Sequence, residues 1–396
     1  MIGIEAEVKL IKGKEHAVTR FHPWIFSGAI RTIDGNPSDG DWVRVVDHNQ
    51  KLLGFGHFQK GSITVRVLSF EKFLPDESFW RKKISNAQHQ RHRVNLPAEG
   101  TSAYRLIHGE GDGLSGLIVD MYDGVAVMQA HSIGMHKDRL AISQAIQDTL
   151  GSGLKAVYYK SHNTLPGNLR EESKAEYLFG MSAVPHIVQE YGNKFYVDWE
   201  GGQKTGFFID QRENRRRLAE LSSGRLVLNT FCYTGGFSIY ALQGGAARVH
   251  SVDASEKAVN LTKRNIELNG YDPYTHYCYA ADTFDFLKDK KDEYDLIILD
   301  PPAFAKHRDA RHQAIKGYQR LNTEAMRVIK SGGIIFTFSC SQVVDRKLFY
   351  DTIVSSAIQA GRNVNVLHHL SQPADHPVSL FHPEGEYLKG LVLYVE

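Results

Sequence analysis

The chain has 396 residues, 42% hydrophobic and 23% charged, with a formal net charge of +2; it is too long for one compact core and too balanced for a fibrous or disordered protein. No apolar run approaches the ~20 residues that cross a bilayer, and the start Met1-Ile2-Gly3-Ile4-Glu5-Ala6-Glu7 carries no secretory signal. Three cysteines in no paired spacing exclude a disulfide scaffold, so a soluble cytoplasmic protein without a membrane partner is expected.

Residues 1–72 read as a small all-β barrel. Alternating stretches at 42–46 and 63–68 are separated by turn-formers at 34–37 and 47–50. Beside a turn, His22-Pro23-Trp24-Ile25-Phe26-Ser27-Gly28 carries aromatics that suit base stacking and core packing equally. Residues 73–190 read as an α+β domain. It holds a helix over 76–94, strands near 104–107, 117–120 and 124–130, a helix over 136–150 and a strand at 156–159. Its loop His108-Gly109-Glu110-Gly111-Asp112-Gly113-Leu114 is too acidic to cradle phosphate and is read as a tight turn facing substrate. Positive charge gathers at Arg81-Lys82-Lys83, at Arg91-His92-Arg93, and at Arg212 with Arg215-Arg216-Arg217. Such runs are solvated helix faces or phosphate contacts, and as contacts they predict salt-dependent RNA affinity. The 19 histidines show no His-Glu-x-x-His, and no Cys-x-x-Cys accompanies them, so no metal is expected.

A hairpin is expected over 187–199, and from about 201 strands and helices alternate. Strands fall at 226–229, 249–253, near 277, and at 296–299, 333–338, 364–367 and 391–395. A short helix covers 237–242; a longer one over 255–269 has Ser255 as N-cap and Gly270 as its stop. This is a doubly wound, Rossmann-like α/β domain. Two of its strands, 296–299 and 333–338, are short and β-branched-rich and read as buried parallel strands. They end in Asp300-Pro301-Pro302-Ala303-Phe304 and in Phe338-Ser339-Cys340-Ser341. Ligands bind at the carboxyl ends of such strands, so Cys340 and Asp300 face one crevice. A thiolate there adds to C6 of a pyrimidine while the acid holds the ring's polar edge. Cys232 and Cys278 are assigned to packing.

The first strand-to-helix turn, Asn229-Thr230-Phe231-Cys232-Tyr233-Thr234-Gly235-Gly236-Phe237, lacks the Gly-x-Gly-x-x-Gly of a dinucleotide site. Gly235 and Gly236 allow close approach to a ligand, and Phe231 and Tyr233 offer faces that attract a sulfonium by ~0.5–2 kcal/mol. Asp253 ends the next strand, where a carboxylate accepts from ribose hydroxyls; Asp282 follows the third and suits an adenine amine. A lone strand-end Asp is as readily a helix N-cap. Three in succession, Asp300 included, favour a ligand. The cofactor that fits is S-adenosylmethionine.

With these residues in view, the chain resembles the RlmI-like family of large-subunit ribosomal RNA cytosine-5 methyltransferases over nearly its whole length. The carriers are the 22–28 and 108–114 motifs, Thr205-Gly206-Phe207-Phe208-Ile209-Asp210-Gln211-Arg212-Glu213-Asn214-Arg215 and the 231–237 turn. The Asp300 and Cys340 motifs and Ala374-Asp375-His376-Pro377 complete the set. The resemblance implies a PUA-type RNA-binding barrel over 1–72, a central domain over 73–190, and a Rossmann-like class I methyltransferase domain over 191–396. It places Cys340 as nucleophile, with Phe231, Tyr233, Thr234, Gly235, Gly236, Asp253, Asp282 and Asp300 around cofactor and base, and Lys204, Phe208 and Arg212 at the methionine end. It also implies large-subunit ribosomal RNA as partner, and a homodimer. A related branch carries a second cysteine where this chain has Ala303, which leaves the base for the C5 proton unassigned. Two other readings stay open, a guanine-nitrogen RNA methyltransferase and an RNA-binding assembly factor without turnover.

Overall fold

The computed structural model describes residues 3–72, 74–166, 169, 173–288, 290–305 and 307–396, with Arg308 by its backbone alone. The chain forms two compact units. The first is built from Met1–Val188, Val197–Phe207 and Ala374–Gly385, the second from Gln189–Tyr196, Phe208–Pro373 and Glu386–Glu396.

In the first unit, β1 (Ala6–Leu10), β2 (Trp24–Phe26), β3 (Ile30–Gly35), β4 (Trp42–Val46), β5 (Leu52–Phe58) and β6 (Ile63–Ser69) form one sheet in the order β2-β6-β5-β4-β1-β3. Val8, Leu10, Ile25, Val43, Val45 and Val65 make its inner face. The sequence pattern missed β5 because Gly54 and Gly56 interrupt the alternation. Gly56 is required by the close crossing of β6, since a Cβ there would sit 2.0 Å from the Arg66 carbonyl oxygen.

A second sheet follows: β7 (Ala103–His108), β8 (Leu117–Tyr122), β9 (Val125–Ala130), β10 (Ala156–Tyr159) and β11 (Glu176–Gly180), in the order β11-β10-β9-β8-β7. The helices Phe79–Arg93 and Arg139–Leu150 cover it, burying Trp80, Ile84, Ile142 and Ile146 against Leu106, Val119 and Met128. The helix expected over 136–150 is two helices, Ile133–Lys137 and Arg139–Leu150, meeting at Asp138. The Asp138 carboxylate accepts from Trp42 Nε1 at 2.9 Å and lies 2.9 Å from His57 Nε2. Trp42, Phe55 and Leu68 of the first sheet therefore share one core with the helices of the second.

Two of the basic clusters are only partly solvated, because Arg91, Arg212 and Arg215 are buried. The Arg91 guanidinium is fully buried and bonds both oxygens of Asp112 at 2.8 and 2.6 Å, while its Nε donates to the Arg105 carbonyl. Asp112 also accepts the His108 N–H at 2.6 Å. Glu110 of the same loop accepts from Trp24 Nε1 at 3.0 Å and from Ser115 Oγ at 2.6 Å. A Cβ on Gly111 would meet the Pro377 carbonyl at 1.9 Å. The 108–114 loop is thus a packing element whose acids serve internal bonds. On the helix Arg212–Glu220, Arg215 is likewise buried, paired with both oxygens of Glu190 at 2.8 and 2.7 Å, and Arg212 is buried too. Only Arg216 and Arg217 of that run reach the surface, beside Glu213 and Glu220. Arg81, Lys82, His92 and Arg93 do remain exposed.

The hairpin forms as β12 (His186–Glu190) and β13 (Asn193–Val197). The second unit holds β14 (Leu226–Thr230), β15 (Arg248–Asp253), β16 (His276–Ala280), β17 (Leu296–Leu299), β18 (Gly333–Ser339), β19 (Val364–Leu370) and β20 (Lys389–Val395). Their order is β16-β15-β14-β17-β18-β20-β19, with β20 antiparallel to both neighbours and β14 to β18 parallel. The doubly wound α/β expectation holds, and the strand order reverses between β14 and β17. Ser255 caps the helix Glu256–Leu268 as expected, accepting the Ala258 N–H. Among the described residues no helix is long and apolar enough to cross a membrane.

Candidate active site

Strands β17 and β18 are parallel neighbours with Leu299 opposite Thr337, so Asp300 and Cys340 leave adjacent carboxyl ends. Both are half-buried. The two loops are tied together directly: Ser341 Oγ donates to the Ala305 carbonyl at 2.8 Å. Beside them Tyr318 is buried, its ring 4.7 Å from that of Phe304. Burial holds its phenol protonated, and the charges of Cys340 and Asp300 push the same way.

Lys389 carries no local signal in the sequence. It lies opposite Ser339 in the β18–β20 ladder, buried, with Nζ donating to the carbonyls of Ser341 and Tyr387 at 2.7 Å each. Burial pulls its ammonium down to about 8, and the negative charge of Cys340 opposes that pull. A cation is therefore held next to the nucleophile candidate. The other cysteines are unsuited to attack. Cys232 is buried 3.6 Å from Thr262 Oγ1 with its thiol pushed far up by burial, and burial pushes Cys278 up to about 12.

The turn after β14 is held in an uncommon conformation. Phe231 and Tyr233 have φ of 53° and 46°, left-handed values that non-glycine residues rarely adopt. Neighbours lock it: Asp253 Oδ2 accepts the Tyr233 N–H at 3.0 Å, Thr262 Oγ1 donates to the Tyr233 carbonyl at 2.9 Å, and Asn265 Nδ2 donates to the Thr234 carbonyl at 2.9 Å. Thr234 itself is buried. Gly235 (φ 77°) answers to packing as well, since a Cβ there would sit 2.6 Å from Thr262 Cγ2. A Cβ on Gly236 would meet the Arg215 side chain at 3.1 Å. The ring of Phe208 stands edge-on to Tyr233 at 5.1 Å, which brings it to the turn. Arg212 lies one helical turn further on; Lys204 belongs to the first unit.

Each strand-end acid has a local duty. Asp253 Oδ1 accepts the Ser255 N–H. Asp282 is a true N-cap, its Oδ1 accepting from Phe284 and Asp285 of the helix Thr283–Leu287. Those bonds orient the carboxylates without using Asp282 Oδ2. Carboxylates after β15, β16 and β17 and aromatic faces after β14 make a set that accepts hydroxyl and amine hydrogens and attracts a sulfonium. The donor set fits S-adenosylmethionine.

A family profile described as S-adenosylmethionine-dependent methyltransferase matches residues 104–382, and one described as a PUA-like domain matches 8–70. Over 397 residues the chain is 37% identical to the ribosomal RNA large subunit methyltransferase I of Aeromonas hydrophila, covering 98% of this chain and 99% of that one. The chain belongs to the ribosomal RNA large subunit methyltransferase I family. Its cofactor is S-adenosylmethionine, and its fold is a PUA-like N-terminal domain joined to a Rossmann-like methyltransferase domain. Solved structures agree on the fold. A candidate SAM-dependent methyltransferase from Streptococcus mutans superposes with a TM-score of 0.83 at 22% identity, covering 98% of this chain and 100% of that one. A candidate methyltransferase solved in complex with SAH gives 0.84 at 23% identity, covering 99% and 100%.

Proposed function

We propose that this family member methylates C5 of a cytosine in large-subunit ribosomal RNA through a covalent adduct to Cys340. The observation that carries the reading is the joined pair of loops after β17 and β18, with Lys389 beneath them. S-adenosylmethionine supplies an electrophilic methyl group. Cys340, ionised beside the Lys389 ammonium, attacks C6 of the flipped-out base, forming the S–C6 bond and moving the ring's electron pair to C5. Asp300 holds the N3/N4 edge. C5 takes the methyl group as its bond to the sulfonium breaks and leaves a thioether; water takes the C5 proton, and the electron pair of that C–H bond expels Cys340 from C6 as the thiolate. The PUA-like barrel and the exposed Arg81, Lys82 and Arg93 engage the RNA backbone. On the family resemblance a homodimer belongs to this proposal, as does a cytoplasmic setting shared with the substrate.

Nucleoside mass spectrometry of ribosomal RNA from cells with and without the gene tests it. Loss of one 5-methylcytidine is expected. Loss of a methylguanosine instead overturns the cytosine assignment, and no change in any methylated nucleoside favours an assembly factor.

Lys389 has its own test. Lys389→Met removes the buried cation, so alkylation of Cys340 by iodoacetamide at pH 7 should slow several-fold and its pH profile should move upward. In the wild-type protein the ammonium itself is lost as pH rises through about 8. An unmoved profile would make Lys389 a packing residue only.

A further inference from the structure

We infer that His22, His382 and Glu384 form a site for one divalent metal ion of the zinc class. His22 precedes β2, while His382 and Glu384 lie in Ala374–Gly385, and all three belong to the first unit. One ligand-type atom from each lies within 4.8 Å of the other two. Nε2 of His22 is 3.7 Å, and Nε2 of His382 3.8 Å, from Glu384 Oε2. These separations are too long for hydrogen bonds. They approach the roughly 3.4 Å between neighbouring ligand atoms around a tetrahedral ion with bonds of ~2.0–2.1 Å.

His382 supplies an independent observation. It is 2% exposed, and neither ring nitrogen has a hydrogen-bond partner among the described residues. Burying such groups unpaired is costly, so a native structure that keeps them so has a reason. Its ring is held edge-on to Trp24 with centroids 4.3 Å apart, and Trp24 is fixed by Glu110 and Ser115. His22 is oriented as well. Its Nδ1 lies 3.2 Å from the Trp24 N–H and 3.3 Å from the Trp24 carbonyl, so both backbone groups hold the ring by that nitrogen and leave Nε2 toward Glu384.

Two imidazoles and one carboxylate are the donor set of zinc, and three protein ligands leave a fourth position for water. The ion would clip the 374–385 segment to the residues entering β2. Because these ligands come from opposite ends of the chain, its binding free energy would add to folding. The spacing rule that predicted no metal reads ligands only along the sequence.

The test uses the full-length protein, stripped with a chelator, titrated with Zn²⁺ and assayed for bound metal by plasma mass spectrometry. One zinc per chain is expected, with a zinc-dependent rise in melting temperature. Glu384→Gln and His22→Ala should each weaken binding at least about tenfold and abolish the thermal shift. Glu384 is 53% exposed, so its variant folds even where His382→Ala does not. A wild-type protein that retains no zinc overturns the inference. So does zinc held equally well by both variants, which would locate it on other side chains.

Discussion

Cys340→Ala should lower methyl transfer to RNA by at least ~10³-fold while leaving S-adenosylmethionine binding within a factor of about two, because the thiol forms the bond on which the chemistry depends. Single-turnover transfer of labelled methyl groups and calorimetric titration of the cofactor separate the two effects. An RNA carrying 5-fluorocytosine at the target adds a positive signal. The wild-type enzyme should remain attached to it on a denaturing gel, since fluorine cannot leave as the proton does, and the Ala variant should not. Transfer by Cys340→Ala at the wild-type rate would remove covalent catalysis. The methyltransferase assignment would stand.

Asp112→Ala should destabilise the first unit by ~3–5 kcal/mol, the cost of leaving a buried guanidinium without its counter-charge. Arg91 has no route to water, its remaining bonds go to the Arg105 carbonyl and Gln90, and the His108 N–H loses its acceptor in the same change. Urea titration reads the loss directly as a lower midpoint. Arg217→Ala, which breaks only the exposed pair with Glu220, should stay within ~0.5 kcal/mol and serves as the reference. A loss below ~1 kcal/mol for Asp112→Ala would mean that water reaches Arg91.

These two residues show where the sequence was informative and where it was not. The Cys340 and Asp300 neighbourhood was legible because short runs of Ile, Leu and Phe at 296–299 and 333–338 declare buried parallel strands, and parallel strands put their carboxyl ends together. The strand-end position of Asp253 was legible for the same reason. Arg91 and Arg215 were not, since a charged residue in a basic run looks solvated until its partner is known, and Asp112 and Glu190 lie well outside any local window. Lys389 was hidden by register. Nothing in Tyr387-Leu388-Lys389-Gly390 says that β20 runs antiparallel beside β18 and places its ammonium under Ser341. Asp282 proved to be a cap, and because one carboxylate can both cap and bind, three acids at successive strand ends do not by themselves separate the two roles at that position.

The membership of Ala374–Gly385 in the first unit sets a timetable for synthesis. Strands β1 to β11 are all translated by residue 180, yet the Asp375 carboxylate that accepts the Arg105 N–H arrives only after nearly all of the other unit. At ~5–20 residues per second the ribosome takes roughly 9–36 s to travel from residue 207 to residue 385. Through that interval the nascent amino-terminal half waits without the carboxylate to which the Arg105 N–H donates. A gene cut before codon 374 would leave it waiting permanently.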